Sequence, residues 1–382
     1  MRMKEKMEIK KEKLCINNNS RNYGIDALRI ISMLMVVIMH VLVHGEVLSS
    51  SKPVNYWIAW FLEIASYCAV NCYALISGYV GVNAKYKISN LAILWLRVFF
   101  YLISVTAIFK LFFPDKVSYI TIKYSFFPIL SNYYWYFTAY AFLFLLIPVL
   151  NEGINNLSKN TLRFVLISAI IISSVASLFS RHFGDVFGLK NGYSVWWLMI
   201  LYLIGAYIRK YGLLNKIRSH RVLIAFSAYF VFIFITWFTK LSIQLLSKTI
   251  FGNNQYTGER LVSYQSITIL GAAVSLFLFF ETIKLNSALV KAVGFLSPLA
   301  FSVYLIHEHP LIRELIISKR FKWIAGLPAY QLVPAVLAVA ICIYLICSLI
   351  DLLRQYLFDL LGIRDKLLKS ELKIKSSLRP SR

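Results

Sequence analysis

The chain has 382 residues, of which 59% are hydrophobic, 16% aromatic and only 15% charged, with a formal net charge of +24. A mean hydropathy of +0.67 excludes a soluble globule of ordinary composition. The basic excess reads as membrane topology and not as a nucleic-acid surface, because Lys and Arg collect between long apolar runs.

Residues 1–20, MRMKEKMEIKKEKLCINNNS, lack sustained apolar periodicity, so 1–21 reads as a basic cytosolic extension, with a short interfacial helix as the alternative. Apolar segments then fall at about 26–46, 55–80, 91–113, 132–150, 162–180, 194–209, 221–242, 262–283, 292–309 and 329–350. The fold class predicted is an all-α membrane protein, a polytopic bundle of about ten transmembrane helices over 22–350. The first segment has full spanning length and no small-residue cleavage site, so it is expected to remain as a helix.

Ten spans put both termini on one face. The tails and loops of that face hold about twice the Lys and Arg of the other, so the positive-inside rule places the termini in the cytosol. Tyr133 to Tyr136 and Trp196-Trp197 then fall at outer helix ends, as an interfacial belt requires. From Asp351, LLRQYLFDLLGIRDKLLK alternates apolar and basic residues, and 351–382 is expected to be a basic amphipathic tail on the anionic inner leaflet. The five cysteines include no CxxC pair, and no disulfide, zinc ribbon or redox role is assigned.

The first apolar segment carries Asp26 and Arg29 at its start and His40 and His44 near its end. Arg29 and His40 stand eleven positions apart, which puts them on nearly one helix face, about 16 Å apart along the axis. Ionisable groups inside a span are costly and mark a pathway or a site. By the same helical rise His307 reaches the level of His40, Glu63 comes close to it, and His44, Glu308 and His309 lie a turn or less further out. Imidazoles beside carboxylates suit proton transfer. The bland alternative is that His44 and His309 are polar helix ends at the interface.

His40 and His44 also have the i, i+4 spacing of a zinc pair, but position 41 is Val, so the HExxH base is missing and His307 or Glu308 would have to complete the set. At the other end, Lys85, Lys87, Arg97, Arg209 and Lys210 join Arg29 as candidate phosphate contacts. The positive-inside bias accounts for the four loop residues without a ligand. Ser77-Gly78-Tyr79 reads first as a close helix contact.

Four motifs together carry a resemblance: Arg29 followed after ten residues by His40, Ser77-Gly78-Tyr79, Tyr134-Trp135-Tyr136, and the run Phe301 to His307, FSVYLIH. The chain resembles the acyltransferase family 3 of integral-membrane acyltransferases over about residues 22–350. That resemblance implies transfer of an acyl group, usually acetyl, from cytosolic acetyl-CoA or another acyl-CoA to a hydroxyl of a surface or lipid-linked glycan. By the same resemblance His40 is the catalytic histidine, as base or as acyl carrier, His307 matches the YLIH histidine, Arg29 helps hold acyl-CoA, and Ser77 and Gly78 match an SGF-like motif. The family's Arg-rich segment after the second helix is reduced here to Arg97 in ILWLRVFF.

Tyr79, Tyr134 and Asn71 are candidate oxyanion donors. The implied partners are acyl-CoA, the glycan acceptor and membrane lipids, with no nucleic acid, no metal, and a homodimer left open. The expected location is the cell membrane. Two rivals use the same residues: a transporter or glycan exporter lined by Arg29, Glu63 and the histidines, and a metal-dependent membrane hydrolase.

Overall fold

The computed structural model describes residues 21–213, 220–252 and 257–377, and the extension read at 1–20 lies outside them. The main helices are α1 (Tyr23–Val43), α2 (Pro53–Tyr67), α3 (Ala69–Gly81), α4 (Ile88–Phe112), α5 (Trp135–Asn156), α6 (Lys159–Phe183), α7 (Val195–Tyr211), α8 (Arg221–Phe251), α9 (Ile267–Thr282), α10 (Ser287–Leu296), α11 (Ala300–His307), α12 (Ala329–Leu360) and α13 (Ile363–Ser377). No strand occurs among the described residues. Each of the ten apolar segments is helical. Eight stretches are long and apolar enough to cross a membrane, taking α2 with α3 and α10 with α11 as continuous. At 17 and 16 residues, α7 and α9 are the shorter two.

The bundle is built around α1. Two-thirds of its span is buried (67%), as for the stretch from α2 through α3, against 17–33% for the apolar spans of α4, α5, α6, α8 and α12. Its start is fixed by Asn22, whose Oδ1 accepts from the backbone N–H of Gly24 and Ile25 at 2.9 and 3.3 Å. The same side chain donates to the carbonyl of Glu281 at the end of α9, at 2.9 Å. The far end of α1 is tied by Lys319 and Phe321, whose N–H groups donate to the carbonyls of His44 and Gly45 at 2.9 and 3.2 Å.

Two helices run past their expected ends. α8 continues from 242 to Phe251 and α12 from 350 to Leu360, so the boundary drawn at 350 falls inside a helix. Buried charges near both ends are satisfied within the bundle. Asp351, with no exposed surface, accepts from Tyr101 at 2.6 Å and from Arg354 at 2.7 and 2.9 Å. The equally buried Lys240 donates to the carbonyl of Thr257 at 3.0 Å and sits 3.9 Å from the centre of the Trp60 ring. Beyond α12, Glu371 of α13 is buried and accepts from the N–H of Ser89 at 3.1 Å in the first turn of α4. Lys375 and that N–H hold its carboxyl well below the usual carboxylate range.

Helices α3 and α7 cross without side chains between them. A Cβ at Gly78 would stand 1.9 Å from the carbonyl oxygen of Tyr202, and one at Gly205 would stand 2.1 Å from that of Leu75. Both obstacles are backbone, so neither yields by a rotamer change. Gly153 in α5 has nothing within 4 Å of its would-be Cβ. Gly78→Ala and Gly205→Ala are therefore expected to lower stability by about 1–3 kcal/mol or more, while Gly153→Ala raises it by about 0.5–1 kcal/mol. Thermal unfolding of the three variants in one detergent reads the opposite signs.

Candidate active site

The site at the far end of α1 is created by a helix that stops. Pro310 disfavours helical backbone at the residue before it, and His309 is extended at φ −54°, ψ 129°. Helix α11 accordingly ends at His307, and Glu308 takes φ −90°, ψ 0°. The Tyr134 hydroxyl donates to the carbonyl of Leu305 at 2.6 Å and steadies this last turn. Three groups then converge. His40 Nδ1 lies 2.9 Å from His307 Nε2 and 3.2 Å from Glu308 Oε2. His44 Nε2 lies 3.7 Å from the same carboxylate oxygen, and Arg313 Nη1 holds the other oxygen at 2.7 Å.

The hydrogen bonds fix the tautomers of the neutral rings. His307 Nδ1 is 2.5 Å from the carbonyl oxygen of Val303, which can only accept, so that nitrogen carries the proton. His307 Nε2 therefore presents a lone pair, and His40 Nδ1 must donate to it. The second nitrogen of His40, Nε2, is left with a lone pair and makes no hydrogen bond among the described residues. This is the arrangement of a base whose ring is oriented from behind and whose charged form would meet a carboxylate.

The ligand atoms of His40, His307 and Glu308 also lie within 4.8 Å of one another, close enough to converge on an ion. The two nitrogens, however, face each other at 2.9 Å. On a tetrahedral zinc, with bonds of about 2.0–2.1 Å, they would stand about 3.3 Å apart with both lone pairs aimed at the metal. The spacing is that of a hydrogen bond.

His40 lines a narrow slot of about 50 Å³ with Met39, Trp135, Tyr264, Tyr304 and others. Tyr73, Tyr136 and Phe301 belong to that slot and equally to a wider cavity of about 330 Å³ at the Arg29 end. Arg29, Ser77, Lys85 and Lys87 line the wider cavity. The two spaces share these three side chains as an aromatic waist, with cations on one side and the imidazole on the other. Arg29 is positioned rather than loose. Its Nη1 is 2.6 Å from Asp26 Oδ1, which also accepts from Ser297 at 3.2 Å, and its carbonyl accepts from the Tyr73 hydroxyl at 2.9 Å.

Other residues singled out in the sequence stand elsewhere. Glu63 is buried on α2 within electrostatic reach of Tyr67 and Tyr264, and among the described residues it shares no hydrogen bond or ion pair with His40 or His307. Gly78 serves the α3–α7 crossing and does not line the cavity. Arg97 turns to the carbonyl of Pro298 at 3.4 Å, outside the cavity wall. Two of the three candidate oxyanion donors have spent their protons, Tyr134 on Leu305 and Tyr79 on Glu281 at 3.1 Å, and Asn71 gives one of its two N–H groups to the carbonyl of Tyr264 at 2.8 Å.

Glu308, expected within the outer cluster of imidazoles and carboxylates, closes the histidine pair because α11 ends before Pro310. One group has no part in the sequence reading. Tyr304, inside the YLIH motif, lines the slot beside His40, and its buried hydroxyl has no acceptor for its proton.

No curated protein and no solved structure matches the chain. A family model described as an acyltransferase domain matches residues 22–351, nearly the whole chain. The chain belongs to the acyltransferase 3 family and is a multi-pass membrane acyltransferase.

Proposed function

We propose that the protein transfers an acyl group, acetyl in the simplest case, from acyl-CoA to a hydroxyl of a surface or lipid-linked sugar at the cell membrane, with His40 as general base. The observation that carries this reading is the tautomer-fixed pair His40–His307 beside a slot whose Tyr73, Tyr136 and Phe301 also wall the cavity lined by Arg29, Lys85 and Lys87. A long, thin, polyanionic thioester fits such a path. Its phosphates meet the cations, its pantetheine arm passes the aromatic waist, and its acyl end reaches the imidazole. The Arg29 end then faces the cytosol, in keeping with the excess of Lys and Arg in the tails and loops at that end.

In the chemical step His40 Nε2 takes the proton of the acceptor hydroxyl as its oxygen attacks the thioester carbonyl. The oxyanion that forms is met by the free hydroxyl proton of Tyr304. On collapse the C–S bond breaks, and the thiolate of CoA takes the proton back from His40. Glu308, held by Arg313, balances the imidazolium while it lasts. An acyl-histidine route uses the same nitrogen.

His40→Ala is expected to leave the melting temperature of the detergent-solubilised protein within a few degrees and to cut acetyl transfer from labelled acetyl-CoA to a surface-glycan extract by roughly 10²–10⁴-fold. Flux of solute or protons that ignores acyl-CoA would replace this reading with a transporter. Label retained on the protein when acceptor is withheld would make His40 an acyl carrier instead of a base.

Glu308→Gln keeps the shape of the side chain but removes the charge facing the imidazolium. It is expected to lower kcat on the order of tenfold to a hundredfold with the KM for acyl-CoA unchanged. A rise in that KM at constant kcat would show that Glu308 serves binding and not the chemical step.

A further inference from the structure

The wider cavity has a neighbour. A second hollow of about 260 Å³ at the same end of the bundle is lined by Arg21, Asn22, Asp26, Arg29, Asn83 and Arg209, with Ile25, Tyr79 and Val80. Arg29 and Val80 belong to both walls, so the two hollows adjoin along one face of α1 and α3. Its charge is unbalanced. Three guanidinium groups face one carboxylate, and Asp26 is already engaged by both Arg21 at 2.5 Å and Arg29 at 2.6 Å.

Arg209 stands apart from that pairing. Among the described residues it forms no ion pair, although it is held in place. Its Nη1 donates to the Tyr79 hydroxyl at 3.0 Å and its guanidinium lies 4.8 Å from the centre of the Tyr79 ring. Tyr79 is itself fixed by Glu281, which Arg221 pairs at 2.7 Å. A planar donor set by two neighbours and left without a counter-ion is suited to a fork-shaped contact with phosphate. Asn22 and Asn83 add neutral polar groups, and two positive charges remain uncompensated inside the hollow.

We propose that this second hollow holds a phosphate monoester, the 3′-phosphate of the CoA nucleotide, with Arg21 and Arg209 as its cationic contacts. The inference rests on the acyl-CoA reading and divides the ligand at Arg29: the diphosphate and pantetheine run through the wider cavity, the ribose phosphate turns into the second. The charge matches, since a phosphate monoester carries about −1.5 to −2 at neutral pH against the two uncompensated cations. A lipid headgroup offers related chemistry as a singly charged phosphodiester, and the two sources separate by experiment.

The test is equilibrium binding of CoA and of dephospho-CoA to the purified full chain in a neutral detergent, with and without added phosphatidylglycerol. CoA is expected to bind roughly tenfold or more tightly than dephospho-CoA. Arg209→Gln and, separately, Arg21→Gln should each reduce that preference severalfold while leaving the affinity for dephospho-CoA unchanged, which also shows that the variants fold. Equal binding of the two nucleotides by the wild-type chain overturns the proposal, as does a preference that survives both substitutions. A preference abolished by phosphatidylglycerol through Arg209 assigns the hollow to lipid and overturns it as well. Binding of neither nucleotide brings down the acyl-CoA reading itself, an outcome distinct from equal binding of both.

Discussion

An ionisable side chain inside an apolar bundle persists only where something pays its desolvation cost, and that constraint shapes this protein more than any other. Asp26 is engaged by two arginines and a serine hydroxyl, Asp351 by Arg354 and Tyr101, and Lys240 by a carbonyl and an aromatic ring. Each set joins elements distant in sequence. Ser297 brings the start of α11 to α1, Tyr101 brings α4 to α12, and Trp60 brings α2 to α8. In a membrane, where burying apolar surface between helices gains little, such contacts and close backbone crossings like that of Gly78 and Gly205 decide which helices are neighbours.

The same constraint gives meaning to the exceptions. A buried Tyr304 hydroxyl with no acceptor and a Glu63 oxygen with no donor are capacity held in reserve. Tyr304 lines the slot beside His40, where a developing oxyanion would use its proton. Glu63 stands within electrostatic reach of Tyr67 and Tyr264, of which Tyr264 lines the slot.

Much of this was legible in the sequence. Periodicity and length gave every apolar helix, because hydrocarbon thickness leaves few alternatives. The Arg29-to-His40 spacing set two levels on one face, and helical rise alone put His307 level with His40. The limits have physical causes. The segment end at 350 falls short because a charge in the sequence does not announce its partner, whereas Asp351 and Arg354 neutralise each other within one turn. Gly78 and Arg97 belong to motifs, yet motif membership does not say which side of a helix faces a cavity. Glu63 shared a depth with the histidines but not a direction, and depth along an axis is all that counting residues supplies. The part played by Glu308 needed the break before Pro310, which turns a residue that would continue a helix into one that caps a site.

The geometry also fixes the distance between the two ends of the candidate site. Arg29 and His40 are carried by one buried helix, so their separation of about 16 Å is a count of peptide units and cannot adjust to the ligand. Any molecule reaching from one to the other would have to match that fixed height. What can vary is the width of the path between them, set by Tyr73, Tyr136 and Phe301 from three different helices. Two of these three are braced: the Tyr73 hydroxyl on the carbonyl of Arg29, and the Tyr136 ring by its edge contact with Tyr73 at 6.2 Å. The distance along α1 is thus fixed by the helix and the girth by the waist, beyond which lies the slot of about 50 Å³ that His40 lines.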